Sequence, residues 1–391
     1  MFKMTPLKIK LLAFKGAPDA AFENADTQIQ KHLASENYVL VDENPDVLYF
    51  LSGGSEMPAT EVVAVGRFYL LIGSRHNNAY ASATEVKAWM NARGIQSLLL
   101  DADEAETREV LENFLKVRTA LEKLKSQRAG LIGNVSDWLI ASAIDANILK
   151  EKTGMELIQI SWEKLKHFSQ YEPSAAFLQS FAEHNNMDLQ DTARVYSMLT
   201  ETIAANKLDA ITVECFPMVK KDGVTACLPL AKFNNDGFPA GCEGDITAIT
   251  GMMLGKELTG MVPWIANTNK VTNDLCVFSH CTIAPCLVDN MQIKTHFETG
   301  MGTAVEGDFK NDGITLFRFD NTLSKAFVAT TKITGRPKSP TACRTQIEVQ
   351  LSEREVNLLR ENPLGNHHLI LPGDWSGIIR MACALMKIEV L

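Results

Sequence analysis

Short apolar runs with no polar alternation restrict the fold of this chain more than any other feature. Val47-Leu48-Tyr49-Phe50-Leu51, Tyr69-Leu70-Leu71-Ile72-Gly73 and Leu98-Leu99-Leu100 recur through the first third. Gly130-Leu131-Ile132-Gly133, residues 157–160 and Ile211-Thr212-Val213 repeat the pattern further on. A strand that is apolar on both faces must be covered on both faces, as in a parallel sheet flanked by helices. The intervening segments read as those helices. Residues 22–33, 82–91 and 189–206 are candidates, and Val110, Phe114, Val117, Leu121 and Leu124 step by four and three along one stripe. Beyond Asn267 the texture changes. Leu275-Cys276-Val277-Phe278-Ser279-His280 opens a strand after the polar turn Asn273-Asp274, and residues 314–320 and 326–333 are rich in β-branched and aromatic side chains. Asp312-Gly313 within Phe309-Lys310-Asn311-Asp312-Gly313-Ile314 reads as a hairpin turn. Helices are expected over 353–361 and 376–386. At 391 residues the chain exceeds one ordinary core. The expectation is α/β: two doubly wound Rossmann-like domains, residues 1–128 and 129–262, then a mainly antiparallel β domain, residues 263–391.

Charge and glycine spacing exclude several functions. A net charge of −9 argues against a nucleic-acid or anionic-membrane surface, because such partners demand concentrated Lys and Arg. The turns Ser52-Gly53-Gly54-Ser55 and Gly130-Leu131-Ile132-Gly133 lack the G-x-G-x-x-G spacing of a dinucleotide site, and no Walker-type phosphate loop occurs. No apolar leader follows Met1-Phe2-Lys3 and no stretch is long enough to span a bilayer, so a cytoplasmic protein is expected. The eight cysteines fall between Cys215 and Cys383 with no C-x-x-C pair, which reads as reduced thiols rather than a metal knuckle.

The chemistry gathers in the stretch from Gly237 to Asn267. Gly237, Pro239, Gly241 and Gly244 surround Glu243, with Asp245 two residues on as the cap of an apolar helix beginning at Ile246. A carboxylate at the mouth of a buried helix needs a cation or hydrogen bonds to answer it. The plain alternative is that Glu243 and Asp245 are only a capping pair. Asn134 and Glu214 end strands on the side where an open α/β sheet forms its site, though either could be bonding local backbone. His368, next to His367, should face the opposite side if that segment is a strand.

These residues resemble the L-fucose isomerase and L-arabinose isomerase superfamily, in particular its shorter fucose-isomerase-like members. In that family a metal-binding Glu lies in Glu-x-Asp, as in Glu243-Gly244-Asp245. A metal-binding Asp follows 24 positions later, beyond a Leu-Thr-Gly turn; here Leu258-Thr259-Gly260 is present and the position is Asn267. The third ligand is a His in Asn-His with a glycine six residues on, matched by Asn366-His367 and Gly373. The resemblance implies a metal-dependent aldose–ketose isomerase acting on a small sugar through an enediol. It implies Glu243 and Asp245 as catalytic residues, and Glu243, Asn267 and His367 around a divalent ion, most simply Mn²⁺. It also implies a homo-oligomer, a trimer or hexamer, with sites walled by a neighbouring subunit. His280, Arg344 and Glu214 are the candidate sugar contacts. Asn267 departs from the pattern: it carries no charge and exchanges no proton near neutrality. That predicts weaker metal binding and a substrate bearing its own negative charge, such as a sugar acid or sulfonated sugar. The alternative from another class is a catalytically silent sugar-binding homologue.

Overall fold

The computed structural model describes residues 5–184 and 186–391. The chain divides into two compact units, the first reaching Thr119 and the second running from Ala120 to Leu391.

In the first unit the unalternating runs form a five-stranded parallel sheet: β1 (Leu7–Leu12), β2 (Tyr38–Leu40), β3 (Val47–Phe50), β4 (Tyr69–Gly73) and β5 (Ser97–Asp101), in the order β2-β1-β3-β4-β5. Every residue of β3 and β4 is buried, as expected for strands covered on both faces. The helix expected over 22–33 is shorter, Ala25–Ile29, and that expected from Ser82 starts earlier, at Ala79.

The second unit holds two sheets with different logic. β6 (Arg128–Ile132), β7 (Glu156–Ile160), β8 (Ala210–Val213) and β9 (Ala240–Cys242) form a parallel sheet ordered β7-β6-β8-β9. β10 (Trp264–Val271), β11 (Leu275–His280), β12 (Val288–Lys294), β13 (Ala304–Phe309), β14 (Gly313–Phe319), β15 (Lys325–Gly335), β16 (Thr345–Gln350) and β17 (His367–Pro372) are all antiparallel to their neighbours within this group. Six of them close on themselves: β14-β17-β10-β11-β16-β15, with β15 pairing back to β14. Closure removes exposed edges and encloses a core that includes Phe278, Leu316, Phe327, Ile347 and Ile370.

One expectation needs correction. Asp312-Gly313 does not turn a hairpin: β13 pairs with β12, whereas β14 pairs with β15 and β17. Gly313 does not take the positive φ such a turn uses. The hairpin lies one strand later, where Asp320 Oδ1 accepts the backbone N–H groups of Ser324 and Lys325 at 2.8 Å each.

The helix Ile246–Thr259 joins the two sheets of this unit. It is buried on nearly every side, contacting β8 and β9 on one flank and β14 and β17 on the other. Gly251 permits this. A Cβ there would sit 2.3 Å from Leu369 Cδ1, so any larger residue would force the Leu369 side chain to move for the helix to lie this close to the barrel. The helix therefore begins where parallel strands end and barrel strands arrive.

Candidate metal centre

β9 leads into this helix through a two-residue left-handed turn, Glu243 (φ 63°) and Gly244 (φ 68°), before Asp245 caps the helix. Gly244 is required twice over, since a Cβ would lie 2.2 Å from the Asn134 carbonyl oxygen. Glu243 is a non-glycine residue in the same region, a conformation costing on the order of 1–3 kcal/mol that packing must offset. The loop after β6 holds it: Ser136 N–H donates to the Glu243 carbonyl at 3.0 Å, and Trp138 Nε1–H to Oε2 at 2.5 Å.

The remaining carboxylate oxygen faces two imidazoles. Oε1 lies 3.8 Å from His367 Nε2, at the start of β17, and 3.9 Å from His280 Nε2, at the end of β11. One ligand atom from each of these three residues falls within 4.8 Å of the others, and among the described residues no other such group of His, Cys, Asp and Glu forms. Asp245 stands behind His367, with Nδ1 and Oδ2 2.8 Å apart, while Asp245 Oδ1 accepts the Ala248 N–H at 2.7 Å. Burial opposes ionisation of Asp245, but the His367 hydrogen bond and Arg318 outweigh it and hold the carboxyl below its usual range. An ionised Asp245 accepts a hydrogen bond from Nδ1–H of His367 and leaves Nε2 as the atom turned to the centre. Burial also opposes a charge on His367, yet Glu243 and Asp245 prevail and raise its proton affinity. Its Nε2 is buried with no hydrogen-bond partner, 3.8 Å from a carboxylate. An orphaned nitrogen beside an anion, oriented from behind by a second carboxylate, fits a divalent cation.

His280 is a different kind of neighbour. Its Nδ1 accepts the Thr282 backbone N–H at 3.1 Å, so its remaining proton belongs on Nε2. Burial, with His367 and His296 nearby, holds it neutral, well below the ordinary imidazole range. In this tautomer His280 presents an N–H donor to the centre. It could ligate an ion only by giving up the Thr282 hydrogen bond.

The other sequence candidates fall as follows. Asn267 is opposite His367 in the β10–β17 register, beside the centre, but its Oδ1 already accepts from Asn366 Nδ2 at 2.6 Å. Arg344 Nε donates to the Thr295 carbonyl at 2.7 Å and Nη2 to Thr295 Oγ1 at 3.1 Å. Glu214 Oε2 accepts the Asn134 N–H at 2.7 Å. His368 turns away from His367 into the barrel, between Phe278 and Phe327, where burial depresses its pKa to about 3. Two residues that sequence reasoning did not single out prove central. Trp138 clamps Glu243, and Arg318 donates to the His367 carbonyl and, at 2.9 Å, to Ser142 Oγ, with Asp245 Oδ2 at 3.9 Å. A lone cation within the apolar strand Leu316-Phe317-Arg318-Phe319 was the available signal for Arg318.

No protein-family model matches this chain. Its sequence is similar to curated sulfoquinovose isomerases. It is 23% identical over 249 residues to that of Alkalicoccus urumqiensis, covering 59% of this chain and 56% of the relative. With that of Priestia aryabhattai it shares 22% over 276 residues, covering 66% and 62%. With that of Clostridium sp. (strain MSTE9) it shares 21% over 336 residues, covering 80% and 74%. The matched stretch thus spans less than two thirds of the Alkalicoccus and Priestia proteins.

Proposed function

We propose that this protein is a metal-dependent aldose–ketose isomerase whose substrate is a sugar carrying a fixed negative charge, a sulfonated sugar before others. The observation that carries this reading is the meeting of Glu243 Oε1 with the unpartnered Nε2 of His367, with Asp245 behind the ring. Similarity to proteins named sulfoquinovose isomerases supports both the reaction class and the charged substrate. No observation favours the silent sugar binder.

In this reading Glu243 and His367 hold a divalent ion, with Asn267 beside them. The ion, when bound, supplies positive charge where a carbonyl oxygen of the sugar becomes an oxyanion. Asp245 fixes the His367 tautomer, Trp138 fixes which oxygen of Glu243 faces inward, and the Nε2–H of His280 donates to a sugar oxygen. With one fewer anion than a two-carboxylate site, the pocket tolerates a substrate's own negative charge better.

The test is NMR-monitored turnover of sulfoquinovose and of glucose by Mn²⁺-loaded protein, before and after chelation. The expected result is aldose–ketose conversion of the sulfonated sugar, preferred over glucose and lost on chelation. Absence of conversion for both sugars overturns the isomerase reading, and equal use of both overturns the charge preference.

A further inference from the structure

Strand register sets Asn267 beside the centre. It is directly opposite His367 in the β10–β17 pair and directly opposite Ser279, the residue before His280, in the β10–β11 pair. Side chains directly opposite in an antiparallel pair share a face, with Cβ atoms about 4.5–5.5 Å apart. Asn267 therefore stands next to the imidazole that turns Nε2 to Glu243. What it offers there depends on which end of its amide is free.

The surrounding hydrogen bonds fix that end. A backbone N–H can only donate, and that of Thr268 lies 3.1 Å from the side chain of Asn366, so the Asn366 atom facing it is Oδ1. The same N–H reaches the Asn366 carbonyl at 3.2 Å, and Thr268 Oγ1 donates to that carbonyl at 3.0 Å, which ties Asn366 to β10. The other arm of the Asn366 amide is then Nδ2, a donor, and it meets Asn267 at 2.6 Å. The Asn267 atom at that contact must be Oδ1. Turning the Asn267 amide over would set two NH₂ groups against each other, and turning both amides would set an NH₂ group against the Thr268 N–H.

Asn267 Nδ2 is left as the uncommitted end. Its contact among the described residues is Cys343 Sγ at 4.0 Å, a weak acceptor at long range. Cys343 belongs to the cluster that holds Cys281, the residue after His280, so Nδ2 leans to the His280 side of the centre. An amide nitrogen carries two N–H groups, and at least one of these has no acceptor. Asn267 is only partly buried, which leaves that N–H within reach of a ligand.

We propose that Asn267 is a hydrogen-bond donor to an oxygen of the sugar, not a ligand of the ion, and that Asn366 is the residue that positions it. This rests on the isomerase reading and sharpens its substrate preference. A neutral N–H donor accepts a sugar that is already anionic, where a carboxylate at this point would repel it.

The test uses Asn267→Ala, Asn267→Asp, Asn366→Ala and the double alanine variant. Calorimetry gives the affinity for Mn²⁺ and, with Mn²⁺ loaded, the affinity for sulfoquinovose; melting temperature reports folding. Asn267→Ala should leave Mn²⁺ affinity within about threefold and weaken sulfoquinovose binding about three- to tenfold. Asn366→Ala should weaken the sugar by no more than that, and the double variant should be no weaker than Asn267→Ala alone, because Asn366 acts through Asn267. Asn267→Asp is isosteric and keeps an acceptor for Asn366, so it decides the matter where Asn267→Ala fails to fold. It should weaken sulfoquinovose by about tenfold or more, with the donor lost and a like charge added.

A larger loss of Mn²⁺ affinity in Asn267→Ala makes Asn267 a ligand and overturns the proposal. Unchanged sulfoquinovose affinity in either Asn267 variant overturns the contact, and additive losses in the double variant overturn the role of Asn366. If the wild-type protein turns over neither sugar, the isomerase reading has failed, whereas these affinities need no turnover and still decide what Asn267 does. Wild-type protein that binds no sulfoquinovose overturns both.

Discussion

The molecule contains two parallel sheets whose strands end in much the same way, yet among the described residues a candidate metal centre forms at only one of them. At the C-terminal edge of the first sheet, polar groups answer each other locally: Arg75 Nε lies 3.2 Å from Asp103 Oδ2, and Ser52 Oγ accepts the Phe14 N–H at 3.1 Å. At the edge of the second sheet, Glu243 has no such local partner for Oε1, and the groups facing it come from β11 and β17 of the barrel. A parallel sheet supplies loops on one side as a matter of topology. Those loops become a centre when a second layer delivers buried nitrogen atoms to a carboxylate that its own loop leaves unsatisfied.

The sharpest way to break this contrast is Glu243→Gln. It keeps the Trp138 hydrogen bond as a carbonyl acceptor but removes the charge. Turnover should fall at least about a thousandfold, the several kcal/mol that a polarising cation contributes, and elemental analysis should find the divalent ion gone. The matched change in the first sheet, Ser52→Ala, should leave Mn²⁺ content unchanged and cost only about 1 kcal/mol in denaturant unfolding. If Ser52→Ala also empties the protein of metal, the two edges are not independent and the comparison fails.

Next in size is Arg318→Met. Arg318 and Asp245 are both essentially buried, and burial lowers the arginine's proton affinity even though Asp245 and Asp320 oppose it. Removing the cation strands a buried carboxylate and leaves the His367 carbonyl and Ser142 hydroxyl without their donor. Unfolding free energy should drop by about 3–5 kcal/mol. A loss below about 1 kcal/mol would mean that Asp245 is satisfied by His367 and Ala248 N–H alone.

How much of this was legible beforehand follows from the range of the interactions. Unalternating runs marked β3, β4, β6 and β8, because covering both faces of a strand is written in consecutive residues. The glycines around Glu243 marked a turn only glycine-rich backbone makes, and Asp245 marked the helix start. The facing of His367 and His368 to opposite sides followed from strand alternation. Barrel closure did not follow, because β14 meets β17 across about fifty residues of chain, and no local pattern states that pairing. The same blindness produced the misread hairpin at Asp312-Gly313, where the turn chemistry was suitable but the strands on either side belong to different sheets. Trp138 and Arg318 were missed because their meaning lies in their partners.

The smallest expected effect separates two roles for His280 and so refines what the barrel contributes. With Nδ1 accepting from Thr282 N–H, the ring has one proton left, on Nε2, and a nitrogen that carries a proton has no lone pair for a metal. His280→Gln replaces that donor with an amide N–H at similar reach. If His280 contacts substrate, KM should rise about three- to tenfold, the worth of one neutral hydrogen bond, while Mn²⁺ affinity measured by calorimetry stays within about threefold. If the ring instead surrenders the Thr282 bond and ligates the ion, Mn²⁺ affinity should weaken by much more than that. The first outcome makes β17 the one barrel strand that supplies an imidazole ligand. The second makes β11 its equal, with the Thr282 bond broken on metal entry.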